Sequence, residues 1–171
     1  MSFTQLHTTV KGYAGEDIVR RILEGLRWTV YDSKADRPHV VDFICHRSGK
    51  RLFAVDVKTY PRRWCCPDTG IDTRDFEKYQ GFENEHRIPV HLVFVDEIEQ
   101  AVYGGRLRYL ARHASPDGRK VYFPLERMRL HRHLFADELE EIRAVSTVDP
   151  ARYQNTELFF PWARVQAMAG K

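Results

Sequence analysis

Apolar positions near the start of the chain recur at helical spacing. Ile18, Val19, Ile22, Leu23 and Leu26 fall on one side, with Arg20, Arg21 and Glu24 on the other. The stretch "GYAGEDIVRRILEGLRW" therefore predicts an amphipathic helix, its last turn weakened by Gly25. The pattern then shortens. "WTVYDS" (28–33), "HVVDFICH" (39–46) and "RLFAVDVKTY" (51–60) each predict a strand. Pro38 bounds the second of these, and the turn "RSGK" predicts that the second and third form a hairpin. A loop, "PRRWCCPDTGI", leads to a second predicted helix over 73–86, with Asp72 or Thr73 as N-cap and Asp75 in its first turn. "IPVHLVFVDE" (88–97) is the apolar run of a buried strand. Helix, three strands, helix, strand is the order of a mixed α/β core with helices packed on a sheet.

Beyond residue 97 the pattern loosens. "QAVYGGRLRYLARH" predicts a short strand and a turn, "RKVYFPLERM" a strand, "ADELEEIRAV" a helix and "ELFFPWARV" a terminal strand or extended tail. "VYFPLERM" and "LFFPWARV" share Phe-Pro-x-x-Arg, which is one short match and no repeat architecture.

Inside "RLFAVDVKTY" the alternation carries chemistry. Phe53, Val55 and Val57 point to one face of a strand; Ala54, Asp56 and Lys58 point to the other. The apolar set suits a helix packed above it. The charged set needs a cleft, because an unpaired buried charge is costly. Asp42 interrupts the neighbouring apolar strand in the same manner, and hairpin pairing would bring it near Asp56. Two such carboxylates repel unless a cation lies between them. Lys58 alone would ease that repulsion, and a divalent metal would do so better.

Asp42, then Asp56-Val57-Lys58 on the next strand, with Glu16 on the first helix, resembles the motif of the PD-(D/E)XK phosphodiesterase superfamily. This is the group of restriction endonucleases and Holliday-junction resolvases. The likeness covers residues 12–96 and includes the order of elements; Val41 stands where the motif's name has Pro. The resemblance implies an α/β fold with a restriction-endonuclease-like core over 12–96. Residues 97–171 would then form a C-terminal α+β extension within a single domain spanning 1–171. It implies hydrolysis of DNA phosphodiesters with Mg²⁺ or Mn²⁺, leaving a 5′-phosphate and a 3′-hydroxyl. Asp42, Asp56 and the Val57 carbonyl would ligate the metal, directly or through water, and Glu16 would add a ligand or bind a second ion. Lys58 would position and help deprotonate the attacking water, or stabilise transition-state charge. Some branches of the family also use a Gln or Tyr from the helix after the Lys strand. "EKYQGFENEH" offers both, with Gln80 as the expected substrate contact and Tyr79 as a packing residue.

Composition narrows the partners. The chain has 171 residues, 43% hydrophobic and 30% charged, which is ordinary for a globular domain. Its net charge of +3 and pI near 8.8 permit a nucleic-acid partner without requiring one. Arg62, Arg63 and Trp64 leave the Lys strand directly, and arginines beside an aromatic suit DNA phosphates and bases. Arg106, Arg108 and Arg112, and Arg127, Arg129 and Arg132, make two further basic groups that read first as solvated faces. Cys45, Cys65 and Cys66 are odd in number, two of them adjacent, so the expectation is free thiols and a reducing cytoplasm. "LHRHLF" reads as surface histidines, since no ligand set accompanies His131 and His133. No apolar run is long enough for a membrane, and "MSFTQLHTTVKGYAGED" lacks the layout of a signal peptide. Cutting two strands makes a homodimer an open expectation. Two other readings stand beside a DNA nuclease: a catalytically silent nuclease-fold DNA-binding or assembly subunit, and an RNA-processing nuclease.

Overall fold

Helix α1 (His7–Gly25) forms where the apolar stripe predicts it and buries Ala14, Ile18 and Val19 against a sheet. The computed structural model describes residues 7–33 and 39–161. Strands β1 (Thr29–Asp32), β2 (Phe43–His46) and β3 (Phe53–Lys58) pair antiparallel in succession. Each is shorter than its apolar run, so Asp42 sits just ahead of β2 rather than within it. Its amide still donates to the carbonyl of Val55, the partner of Phe43, at 3.0 Å, which holds it at the end of the β2–β3 ladder. Pro38, expected to bound β2, lies outside the described residues.

Helix α2 (Thr73–His86) matches the predicted span. Asp72 holds the N-cap position but its side chain makes no capping hydrogen bond. The chain crosses through α2 and returns as β5 (Val90–Asp96), parallel to β3, with Asp56 opposite Leu92 and Lys58 opposite Phe94. Nearly all of β5 is buried, as its continuous apolar run requires. β6 (Ala101–Arg106) and β9 (Arg129–His133) then extend the sheet to the order β1-β2-β3-β5-β6-β9.

Three segments differ from the sequence expectation. The loop after β3 contains a strand, β4 (Asp68–Asp72), which pairs with β8 (Lys120–Pro124) and, through it, β7 (Ser115–Asp117) in a second sheet ordered β4-β8-β7. "DTGID" has little apolar content, so only its partner strand makes it a strand. The stretch after β6 turns into a short helix, α3 (Leu107–Leu110), whose two leucines are buried. "LHRHLF" includes β9, and His133 is buried, with Nδ1 3.3 Å from the Gln100 carbonyl, rather than a surface histidine. Helix α4 (Ala136–Ala144) forms as predicted. Of "ELFFPWARV", residues 157–161 are irregular, Phe159 and Phe160 packing on the core, and the rest lies outside the described residues.

The main sheet separates two apolar clusters. Val55 and Val57 join Phe43, Val93 and Val95 beneath α1 and α4. Ala54 joins Leu92, Phe94 and Tyr103 on the other face, against α2 and the second sheet. This is the alternation expected of β3, and it leaves Asp56 and Lys58 on the α2 side. Helix α1 approaches the end of β3 at Gly15, where an added Cβ would stand 1.8 Å from Thr59 Oγ1. Only a residue without a side chain lets Glu16, its neighbour, come in beside the strand. Gly15→Ala should therefore destabilise the protein by about 1–3 kcal/mol, as overpacking does, read from the midpoint of urea unfolding. An unchanged midpoint would contradict this close approach.

Candidate active site

The β2–β3 register ends at Phe43↔Val55, and Asp42, the next residue, lies close enough to Asp56 for the two carboxylates to interact. Asp42 Oδ2 accepts a hydrogen bond from the Val57 amide at 2.7 Å, and its Oδ1 lies 3.5 Å from His39 Nε2. Burial and the neighbouring Asp56 push the Asp42 carboxyl up to about 7; Glu16 adds to the rise, while the Val57 amide and Lys58 oppose it. Asp56 is only 4% exposed. Burial raises its carboxyl as well, against the pull of the Lys58 ammonium 2.9 Å from Oδ2.

Lys58 is the cation of this cluster. Its Nζ donates to the Tyr79 hydroxyl at 2.9 Å and stands 3.9 Å from Asp75 Oδ2. Burial works against its charge, yet Asp56, Asp42 and Asp75 outweigh that cost and raise its pKa. Tyr79 is buried, and burial beside these carboxylates holds its phenol protonated, available as a fixed dipole. Asp75 and Tyr79 lie one turn apart on α2, so one face of this helix carries both to the ammonium.

The oxygen donors fit a hard divalent ion. Among the described residues no three His, Cys, Asp or Glu side chains form a ready-made metal cluster. Mg²⁺ does not demand one, since it usually takes one or two carboxylates and keeps several waters. Burial first, and then the neighbouring Asp56, push the Asp42 carboxyl up to about 7, so added positive charge beside it is favourable.

A search of solved structures finds this architecture. Hjc, a Holliday junction resolvase from Archaeoglobus fulgidus, superimposes with a TM-score of 0.51 at 9% identity, covering 68% of this chain and 86% of that one. The fold is that of the restriction-endonuclease-like nucleases. D212, a nuclease from a fusselovirus, is similar at a TM-score of 0.46 and 12% identity over 79% of this chain and 90% of that one. No protein-family description and no curated protein matches the sequence.

On the restriction-endonuclease-like sheet, Asp42, Asp56 and Lys58 converge, and Glu16 is close enough to act on the Asp42 charge. Val57 enters through its amide. The arginine loop behaves differently. Arg62 is 3% exposed: its Nε donates to Glu99 Oε1 at 2.6 Å and its amide to Asp96 Oδ2 at 2.8 Å. Its guanidinium fastens the loop to the end of β5, which corrects the expectation of a DNA contact. Arg63 is held by Asp68, stands 3.2 Å from Asp117 and lies 3.8 Å over the Tyr122 ring, whereas Trp64 is 57% exposed. Gln80 is exposed on the far side of α2, beside Arg87 and Arg106, and it is Tyr79 that reaches Lys58. From sequence, Tyr79 reads as a packing residue and Asp75 as an acid of the first helical turn, and His39 is passed over. For the first two a signal existed, an acid and a tyrosine at i and i+4 on the helix after the Lys strand.

The Asp42 shift has a sign that can be measured. Its pKa is about 7 folded and about 4 unfolded. Over that window the native state holds a proton that the unfolded chain has released. The group's stabilising contribution is therefore complete below about pH 4 and lost as pH rises through about 7. With a chelator present, urea unfolding should show stability falling across this range, by at most about 4 kcal/mol from this group. Asp42→Asn should flatten the profile; an equally steep profile in that variant would place the shift elsewhere.

Proposed function

We propose that this chain is a metal-dependent nuclease that hydrolyses DNA phosphodiester bonds at the Asp42–Asp56–Lys58 cluster. The observation that carries the reading is the buried Asp56 and half-buried Asp42 acting on one another, with the Lys58 ammonium two residues beyond Asp56 on the same strand face. A structural ion pair needs one carboxylate for Lys58. Here Asp42, Asp56 and Asp75 all act on it, with Glu16 adding to the charge at Asp42.

In this reading Asp42, Asp56 and the Val57 carbonyl hold Mg²⁺ or Mn²⁺, and Glu16 supplies a further oxygen or a water contact. When bound, the ion supplies Lewis acidity to the scissile phosphate and acidity to a water. Lys58 orients that water against the phosphorus and stabilises the charge that develops on the phosphoryl oxygens. Tyr79 and Asp75 keep its ammonium aimed and charged. The Val57 amide fixes one oxygen of Asp42, so the carboxylate presents the other. Trp64 supplies an exposed ring for a nucleobase on the loop that leaves β3. The named activity of the fold neighbour from Archaeoglobus fulgidus makes branched DNA a substrate to test alongside duplexes.

The test is cleavage of labelled duplex, branched and single-stranded DNA and of RNA, with Mg²⁺, Mn²⁺ or chelator. DNA should be cut only with metal, and Asp56→Ala or Lys58→Ala should lower the rate by about a thousandfold or more. Cutting that survives chelation or Asp56→Ala would sink the mechanism, and preference for RNA would overturn the substrate. Tyr79→Phe keeps the buried ring and removes the hydroxyl that meets Lys58 and Asp56. It should lower kcat about tenfold with little change in KM. A KM effect alone would assign Tyr79 to substrate binding instead.

A further inference from the structure

The face of the main sheet opposite the candidate active site is only partly covered. Strands lie about 4.8 Å apart and a helix is about 10 Å wide, so one helix covers about two strands and a six-stranded sheet needs roughly three. Helix α1 packs on β1 and β3, and α4 packs on α1. Beyond them a groove of about 760 Å³ remains over three adjacent strands, whose Val55, Val93 and Val102 lie buried beneath it. Leu26 and the Trp28–Phe53 pair, with ring centroids 4.7 Å apart, form its wall, and Leu26 is 56% exposed.

The rim has one sign of charge. Among the described residues Arg21, Arg47, Arg129 and Arg132 line the groove, and no Asp or Glu does. Arg132 and Arg21 both turn to the Glu138 carboxylate, at 2.6 and 3.5 Å, whereas Arg47 donates only to a neutral group, the Leu26 carbonyl, at 3.3 Å. Arg47 and Arg129 are exposed, the first just after β2 and the second at the start of β9, on either side of β3, β5 and β6 in the sheet order. An occupant must therefore bring an apolar stripe flanked by carboxylates. A second copy of this face, set against itself by a twofold axis, would oppose arginine to arginine. Residues 162–171 carry Arg164 and Lys171 and no acid, so their charge also opposes the rim.

We propose that this groove is the docking site for an acidic amphipathic helix of a partner protein, which completes the helical layer on the back of the sheet. Such a helix would seat residues spaced i, i+3, i+4 and i+7 against Leu26, Trp28 and Phe53 and direct its Asp or Glu residues at Arg47 and Arg129. Docking there leaves Asp56 and Lys58, on the other face, open to substrate.

Trp28 makes the test direct. In the full chain carrying Trp64→Phe and Trp162→Phe it is the sole tryptophan. The probe is a synthetic amphipathic peptide with Leu at i, i+3, i+4 and i+7 and Glu on both flanks, beside a second peptide in which Lys replaces Glu. The acidic peptide should shift Trp28 emission saturably, more weakly in high salt. Arg129→Glu and, separately, Leu26→Glu should each weaken its binding about tenfold, a typical loss for an interface anchor. Both substituted residues are exposed, so the fold should tolerate the changes. Equal binding of the basic peptide, or no shift with either, would overturn the proposal. So would a concentration-dependent dimer in sedimentation that Leu26→Glu abolishes, because a second copy would then be the occupant.

Discussion

The register of β2 against β3 is the constraint on which the candidate site depends. Phe43 pairs with Val55, which puts both into the cluster beneath α1, and Asp42, one residue before Phe43, comes within range of Asp56. A slip of one residue would turn every side chain of a strand to the wrong face, burying the carboxylates under α1 and exposing the valines. The apolar cluster on one side thus fixes the electrostatics on the other. The Asp42–Val57 hydrogen bond adds a second lock, because it ties the site carboxylate to the backbone of the strand that carries Lys58.

This arrangement is poor for stability and good for binding a cation. Desolvation raises both aspartates, and their mutual repulsion raises Asp42 further. Lys58 offsets part of that cost, with Tyr79 and Asp75 holding it in place from α2. A single ammonium cannot neutralise several converging carboxylates, which leaves the cluster short of positive charge. Local conflict of this kind, inside a sheet that is otherwise regular, is what a functional site looks like energetically. The surrounding polar groups are treated differently. Asp96, equally buried, receives the Arg62 amide, the Tyr103 hydroxyl at 2.8 Å and two backbone amides of its own turn. It serves to join the Trp64 loop to the end of β5.

Much of this was legible in the chain because period and polarity agreed. The valines of β3 and the stripe of α1 announced their buried faces, and Asp42, Asp56 and Lys58 stood out as charges in apolar strands. The restriction-endonuclease-like order of elements followed from those runs. What stayed hidden depends on tertiary partners. "DTGID" becomes β4 only because β8 lies beside it, and β9 reads as a charged histidine-rich segment because it is a sheet edge. Arg62 and Arg63 look alike in sequence next to Trp64, yet the first is claimed by buried Glu99 and the second by Asp68. The choice between Tyr79 and Gln80 turned on helix phase relative to β3, which sequence spacing fixes only when Asp75 is taken as the reference.

Calorimetry of Mn²⁺ binding in buffers of different ionisation enthalpy tests the central claim most directly. If Asp42 and Asp56 form a cation site in which Asp42 titrates near 7, Mn²⁺ binding near neutral pH should release a measurable fraction of a proton. Asp42→Asn should abolish that release and weaken binding. Mn²⁺ binding with no proton release, or binding unaffected by Asp42→Asn and Asp56→Asn, would contradict the account.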